Sequence, residues 1–110
     1  MSIAREIKAI IRQSKLDDVL RALRQVPGLP GVTVSLVRGF GKRTALEPQE
    51  VGEAAMYKLE IVVPDSIVDE ILETVTEAAW TGLPGDGKIF VYAVDQVANI
   101  RRKVRGVEAI

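Results

Sequence analysis

The chain has 110 residues, enough for one domain and too few for two. Fifteen Lys and Arg balance fifteen Asp and Glu, and there is no His and no Cys. Disulfide scaffolds, Cys/His zinc sites and catalysis by a Cys nucleophile or a His acid–base are thereby excluded.

The N-terminus has no basic-then-apolar leader pattern, and no apolar run nears the roughly 20 residues that span a membrane. A cytoplasmic location is expected. The apolar share is 47% before glycine is counted. A small domain has little interior for it, so part is expected at a subunit interface.

In chain order, residues 3–12 alternate and then run apolar through Ile10 and Ile11, as a strand does. Ser14-Lys15-Leu16-Asp17 reads as a capping box. Leu16, Val19, Leu20, Leu23 and Val26 follow at helical spacing, so a helix is predicted over 15–26, stopped by Pro27-Gly28. Residues 32–37 form a β-branched strand ending at Arg38-Gly39-Phe40-Gly41. The pattern dissolves from Lys42 to Ala55, where a long loop is expected. A third strand covers 57–63. Ser66-Ile67-Val68-Asp69 is a second capping box, and a helix runs on to Ala79. A Gly-rich turn, Thr81 to Gly87, leads into a fourth strand over 88–94. The tail, 95–110, carries Arg101, Arg102, Lys103 and Arg105. The order β-α-β-β-α-β predicts an α+β, ferredoxin-like sandwich: one antiparallel sheet with two helices on one face.

Three motifs carry possible chemistry. Gly82 to Lys88 fits G-x-x-x-x-G-K, but Ile89 replaces the hydroxyl that would hold magnesium, and the context is helix-to-strand. A P-loop enzyme is not expected, although glycine amides and a lysine still suit an anion. Arg38-Gly39-Phe40-Gly41 opens like an RNA-recognition motif. Lys42-Arg43 then break the match, strand one has no aromatic, and zero net charge argues against nucleic acid. The basic tail suits phosphate oxygens, or is simply solvated. Trp80, at a helix end, is expected in the core or an interface. Asp17-Asp18 and Asp69-Glu70 complement helix dipoles rather than catalyse.

Together the pieces resemble the PII signal-transduction family. Lys15-Leu16-Asp17-Asp18-Val19, Thr33-Val34, Gly39-Phe40-Gly41, Glu60-Ile61-Val62-Val63-Pro64-Asp65, Thr81-Gly82 and Gly85-Asp86-Gly87-Lys88-Ile89-Phe90-Val91 follow its pattern in order. The resemblance implies a single PII-like domain over 1–110, with a T-loop at 42–56 and a Gly-rich B-loop at 81–88. It implies a homotrimer with ATP, ADP or AMP as effector in clefts between subunits. Ile10, Thr33, Glu60 and Val62 would lie near base and ribose. Gly39, Phe40, Gly41 and Lys42 would line one side. Gly85, Asp86, Gly87 and Lys88 would meet the phosphates, and Arg101, helped by Arg102 or Lys103, would reach in from the neighbour.

The sequence departs from that pattern in its short T-loop, which has no Tyr or Ser to modify. Arg43 stands where a magnesium-coordinating Gln is usual, Met56 where a Lys holds 2-oxoglutarate, and Asn99 where a first nucleotide arginine is usual. These changes weaken the expectation of a magnesium-ATP-2-oxoglutarate response. The reading is a divergent PII-like regulator of a membrane transporter or metabolic enzyme. Its short T-loop, with Arg43, Thr44, Glu47, Glu50 and Met56, would take a partner or a second effector such as bicarbonate. Alternatives are a nitrogen-assimilation regulator sensing ATP/ADP and 2-oxoglutarate, a slow ATPase, and a structural trimer with a dead site.

Overall fold

A computed structural model describes residues 4–40 and 54–110. Strand β1 (Ala4–Arg12) is followed by a single 3-10 turn (Gln13–Lys15) and helix α1 (Leu16–Leu23). Strands β2 (Thr33–Gly39) and β3 (Ala54–Pro64) come next, then a second 3-10 turn (Asp65–Ile67) and helix α2 (Val68–Ala79). Strand β4 (Gly87–Val94) precedes a short ribbon of β5 (Ala98–Asn99) and β6 (Val104–Arg105), and a last 3-10 turn (Val107–Ala109). The main sheet has the order β2-β3-β1-β4, and every neighbouring pair is antiparallel. This is the ferredoxin-like arrangement, in which the two βα units interleave so that β1 and β3 lie at the centre.

The alternation in the central strands decides which face is covered. Ile7, Ala9 and Ile11 of β1, with Leu59, Ile61 and Val63 of β3, are sealed from solvent. Val19 and Leu23 of α1, and Val68, Ile71, Val75 and Ala79 of α2, close over them at helical spacing. Each fully buried Ile, Leu or Val contributes about 1.5–3 kcal/mol. The other face carries Glu6, Lys8, Ile10 and Arg12 of β1, none of them fully buried. The candidate site uses residues of this helix-free face.

Both helix starts differ from the expected capping boxes. Ser14 and Ser66 fall inside the 3-10 turns, and the N-cap positions are Lys15 and Ile67, without side-chain caps. The turns supply a backbone bond instead: Leu16 N–H donates to the Gln13 carbonyl and Val68 N–H to that of Asp65. Asp17, Asp18, Asp69 and Glu70 do occupy first helical turns, where they favour the positive end of the dipole.

Helix α1 ends at Leu23 rather than residue 26. Its last turn tightens, with Gln25 N–H on the Ala22 carbonyl and Val26 N–H on that of Leu23, before Pro27 removes the next donor. Strand β3 starts three residues earlier than expected, because the antiparallel pairing continues through Met56↔Val37 and Ala55↔Arg38 to Ala54↔Gly39. The T-loop expected over 42–56 therefore loses its last three residues to the strand. Of its expected residues, Arg43, Thr44, Glu47 and Glu50 lie outside the described residues, as do Gly41 and Lys42.

Candidate nucleotide site

The Gly-rich turn between α2 and β4 is built around one carboxylate. Asp86 Oδ2 accepts from Thr81 N–H at 2.7 Å and Gly82 N–H at 2.9 Å. Its Oδ1 accepts from the Thr81 hydroxyl and, at 2.7 Å, from Arg12 Nε. Arg12 Nη2 also donates to the Pro84 carbonyl at 2.7 Å, and Leu83 N–H to Thr81 Oγ1 at 3.2 Å. One arginine at the end of β1 thus grips the turn twice. The guanidinium of Arg12, then the Thr81 hydroxyl and amide, hold the Asp86 carboxyl well below the usual carboxylate range. The Asp86 side chain is a staple inside the turn, leaving backbone rather than carboxylate to meet an anion.

Two glycines are required by this geometry. Gly87 has φ +109°, and a Cβ there would lie 1.8 Å from the Ile10 carbonyl oxygen. Gly82 has φ +84°, and a Cβ would meet the Trp80 indole at 2.9 Å. Trp80 itself is 66% exposed, so it is not a core residue. Its ring lies along the turn at the end of α2, where the chain leaves the helix in extended geometry.

Register brings most of the expected residues together on the sheet. Ile10 sits between Lys58 of β3 and Lys88 of β4, and Lys58 pairs on with Ser35. Two residues along, Lys8 sits between Glu60 and Phe90, and Glu60 pairs with Thr33. Two further, Glu6 sits between Val62 and Tyr92. Lys58 contacts Glu60 at 3.5 Å, and the Lys8 ammonium lies 5.0 Å over the Tyr92 ring. The Lys88 ammonium has no ion-pair partner among the described residues. Gly39 and Phe40 close the end of β2, and Phe40 is 83% exposed.

Two grooves divide these residues. One of about 390 Å³ is lined by Glu6, Thr33, Glu60 and Val62 with Ala109 and Ile110 at the C-terminus. The other, about 440 Å³, runs between α2 and β4 and is lined by Ile10, Gly87 and Lys88 with Leu72, Thr76 and Trp80. Arg101 and Arg102 line neither. They sit at the tip of the β5–β6 ribbon, which the sequence did not disclose. Asn99 organises that tip: its Oδ1 accepts from Arg102 N–H at 3.0 Å, its carbonyl accepts from Lys103 N–H at 2.8 Å, and its Nδ2 reaches the Ala109 carbonyl at 3.4 Å. The Arg102 guanidinium is spent on the Glu108 carbonyl at 2.5 Å. Arg101 is exposed and engages no group among the described residues.

Fold and site together define a ferredoxin-like chain with a Gly-rich turn fixed from the central strand. A model of the family described as nitrogen regulatory protein P-II matches residues 4–104. The nitrogen regulatory protein P-II of Rhodospirillum rubrum is 40% identical, over 96% of this chain and 99% of its own. Nitrogen regulatory protein P-II 1 of Escherichia coli K12 is 46% identical, over 88% and 91%. Among solved structures, Arabidopsis thaliana PII bound to citrate is 40% identical with a TM-score of 0.85, covering 99% of this chain and 94% of that one. Bacillus subtilis GlnK is 32% identical with a TM-score of 0.83, covering 97% and 98%.

The chain belongs to the PII nitrogen-regulatory signal-transduction family. Proteins of that family are regulators and not enzymes, and PII-type regulation is the function of this chain. No helix among the described residues is long and apolar enough to cross a membrane.

Proposed function

We propose that this chain is a nitrogen-regulatory PII signal transducer that holds an adenine nucleotide in clefts between the subunits of a homotrimer. The observation that carries this reading is the turn stapled by Arg12 and Asp86. A loop held from inside has little conformational entropy left to lose on binding, which is what an oxyanion ligand rewards. Lys88, without an ion-pair partner among the described residues, adds a point charge suited to phosphate beside it. Thr33, Glu60 and Val62 share a groove able to take a base and ribose. Arg101, which engages no group among the described residues, suits a neighbour's phosphates.

The relatives bear on what is regulated. The Rhodospirillum rubrum and Escherichia coli relatives are named as nitrogen regulatory proteins, which favours nitrogen control over the transporter or metabolic-enzyme target expected from the short T-loop. Signalling requires that the nucleotide bind some conformations of the loop better than others, so that ATP, ADP or AMP shifts which one a partner meets. Arg43, a cation in place of the usual Gln, suits an anion better than magnesium.

A second reading is favoured by one residue. Met56 lies in β3, in register with Val37 and Arg12. It brings no ammonium where the family usually holds 2-oxoglutarate. A nucleotide switch without that second effector, acting on a transporter or enzyme, fits this position. Calorimetry with ADP and ATP, each with and without 2-oxoglutarate and magnesium, tests both. Binding of a nucleotide that 2-oxoglutarate tightens supports nitrogen sensing. Nucleotide binding indifferent to it supports the second reading, and no nucleotide binding overturns both.

A further inference from the structure

The chain has a single tryptophan, and the fold leaves it bare. Trp80 follows the last residue of α2 at 66% exposure, although an indole is among the largest apolar surfaces a side chain can bury. It is nonetheless held in place. Its six-membered ring lies against Gly82, where a Cβ would come within 2.9 Å. Gly82 is itself fixed, since its N–H donates to Asp86 Oδ2 at 2.9 Å. The indole is thus backed by the stapled turn, and it lines a groove of about 340 Å³ with Thr76 and Glu77. An aromatic ring that is both supported and exposed suits stacking, because little freedom is left to lose on binding.

This groove stands at the end of a charged stripe. Asp69, Glu73, Thr76 and Trp80 recur at i, i+4, i+7 and i+11, with Glu77 alongside, so they share one face of α2. All five are exposed. The helix has no Lys or Arg, and Asp69, Glu73 and Glu77 make no ion pair among the described residues. Such a face repels anions and offers an apolar ligand only the indole. It attracts a cation in two ways, through the ring quadrupole of Trp80 and through the carboxylate of Glu77 in the same groove. Arginine fits both at once, because its planar guanidinium stacks on a ring while its N–H fork meets a carboxylate. Spacing extends the match. Glu77, Glu73 and Asp69 follow one another at about 6 Å along the helix axis. Alternate side chains of an extended peptide project to one side about every 6.6 Å.

The geometry points to the outer face of α2, from Asp69 to Trp80, as a docking surface for an extended segment of a partner protein with arginines at alternate positions. One guanidinium stacks on Trp80 and pairs with Glu77, and the next two cations meet Glu73 and Asp69. This surface is distinct from the loop at 42–56, and the inference does not rest on nucleotide binding.

As the chain's one tryptophan, Trp80 is its own reporter. The probe is acetyl-Arg-Ser-Arg-Ser-Arg-amide, titrated into the whole chain while the indole emission is followed. A saturable change is expected, weakened about five-fold by Glu77→Gln and further by raising salt from about 20 to 200 mM. Trp80→Leu, followed by calorimetry, loses about five-fold as well. Asp17→Asn, an equal loss of charge from the exposed start of α1, leaves the affinity unchanged. No saturable change up to about 5 mM peptide overturns the proposal, and so does equal affinity in Glu77→Gln and the parent. Equal binding of acetyl-Leu-Ser-Leu-Ser-Leu-amide overturns it in favour of an apolar occupant. Displacement of the peptide by an equal concentration of spermidine overturns it in favour of a free polyamine. An emission shift on concentrating the chain alone overturns it in favour of a second copy covering the indole.

Discussion

Arg12 Nε donates to Asp86 Oδ1 over 2.7 Å, tying the last residue of β1 to a turn 74 residues further along the chain. β1 is a central strand of the sheet and β4 an edge strand, so the arginine fixes the turn to the most rigid part of the fold. The same strand brings the Ile10 carbonyl against Gly87. β1 therefore dictates the shape of the Gly-rich turn from two consecutive even positions, one by attraction and one by exclusion.

Replacing Arg12 by Met removes both grips on the turn and leaves the thiol-free core untouched. The loss falls on the phosphate end of the proposed site. Calorimetry should show ADP binding weakened about ten-fold, from lost preorganisation, with adenosine affinity unchanged. Arg12→Lys keeps the charge but cannot reach both Asp86 and the Pro84 carbonyl with a planar fork, so it should rescue only part of the loss.

Gly87→Ala and Gly28→Ala separate two meanings of a glycine with positive φ. Gly28 has φ +78° with nothing within 4 Å of a new Cβ, so alanine there costs about 1 kcal/mol of backbone strain. At Gly87 the added carbon would overlap a backbone carbonyl that cannot turn away. The cost is about 3 kcal/mol or more. Urea denaturation of the two variants gives the comparison directly; equal costs would show that β4 yields at its first residue.

The strands and helices were legible because each buries one face with an unmistakable period: Ile7, Ala9 and Ile11 in β1, and Ile71, Val75 and Ala79 in α2. The residues of the Gly-rich turn were legible as a motif. Its mechanics were not, because Arg12 contacts Asp86 across most of the sequence and no local pattern records that. The ribbon at 98–105 was missed for a different reason. Its strands are two residues long, too short for a period, and its organiser is an Asn side chain, read in sequence only as the loss of an arginine. The serine caps failed because the 3-10 turns satisfy those amides by backbone. Trp80 was placed in core or interface by its chemistry; a helix end beside Gly82 keeps it out of the core.

The Asp86 carboxyl titrates below its ordinary value of 3.8, because its hydrogen bonds favour the charged form. Folding is thus helped by its ionisation at any pH above about 4, and that help fades as the pH falls from there toward the lower folded value. Asp86→Asn should therefore be less stable than the parent at pH 7, with the gap closing below pH 4. Thermal unfolding of both proteins across pH 2.5–7 checks this. A gap that is constant across that range would mean that the staple works through shape and not charge.

Arg101 and Arg102 are adjacent in sequence and differ in what they hold. Arg102 donates to the Glu108 carbonyl at 2.5 Å, securing the last turn, in which Ala109 N–H reaches the Gly106 carbonyl at 2.9 Å. Arg101 engages no group among the described residues. Arg101→Ala should lower ADP affinity about ten- to a hundred-fold, the loss of one charge-assisted contact to phosphate, with unfolding unchanged within about 0.5 kcal/mol. Arg102→Ala should instead speed hydrogen exchange at Ala109 and change ADP affinity less than three-fold, about 0.6 kcal/mol. If the two variants exchanged roles, with Arg102 governing the nucleotide and Arg101 the C-terminal turn, Arg102 would have to leave Glu108 on assembly. The cross-subunit contact would then begin with the release of the C-terminus rather than with a preformed arginine.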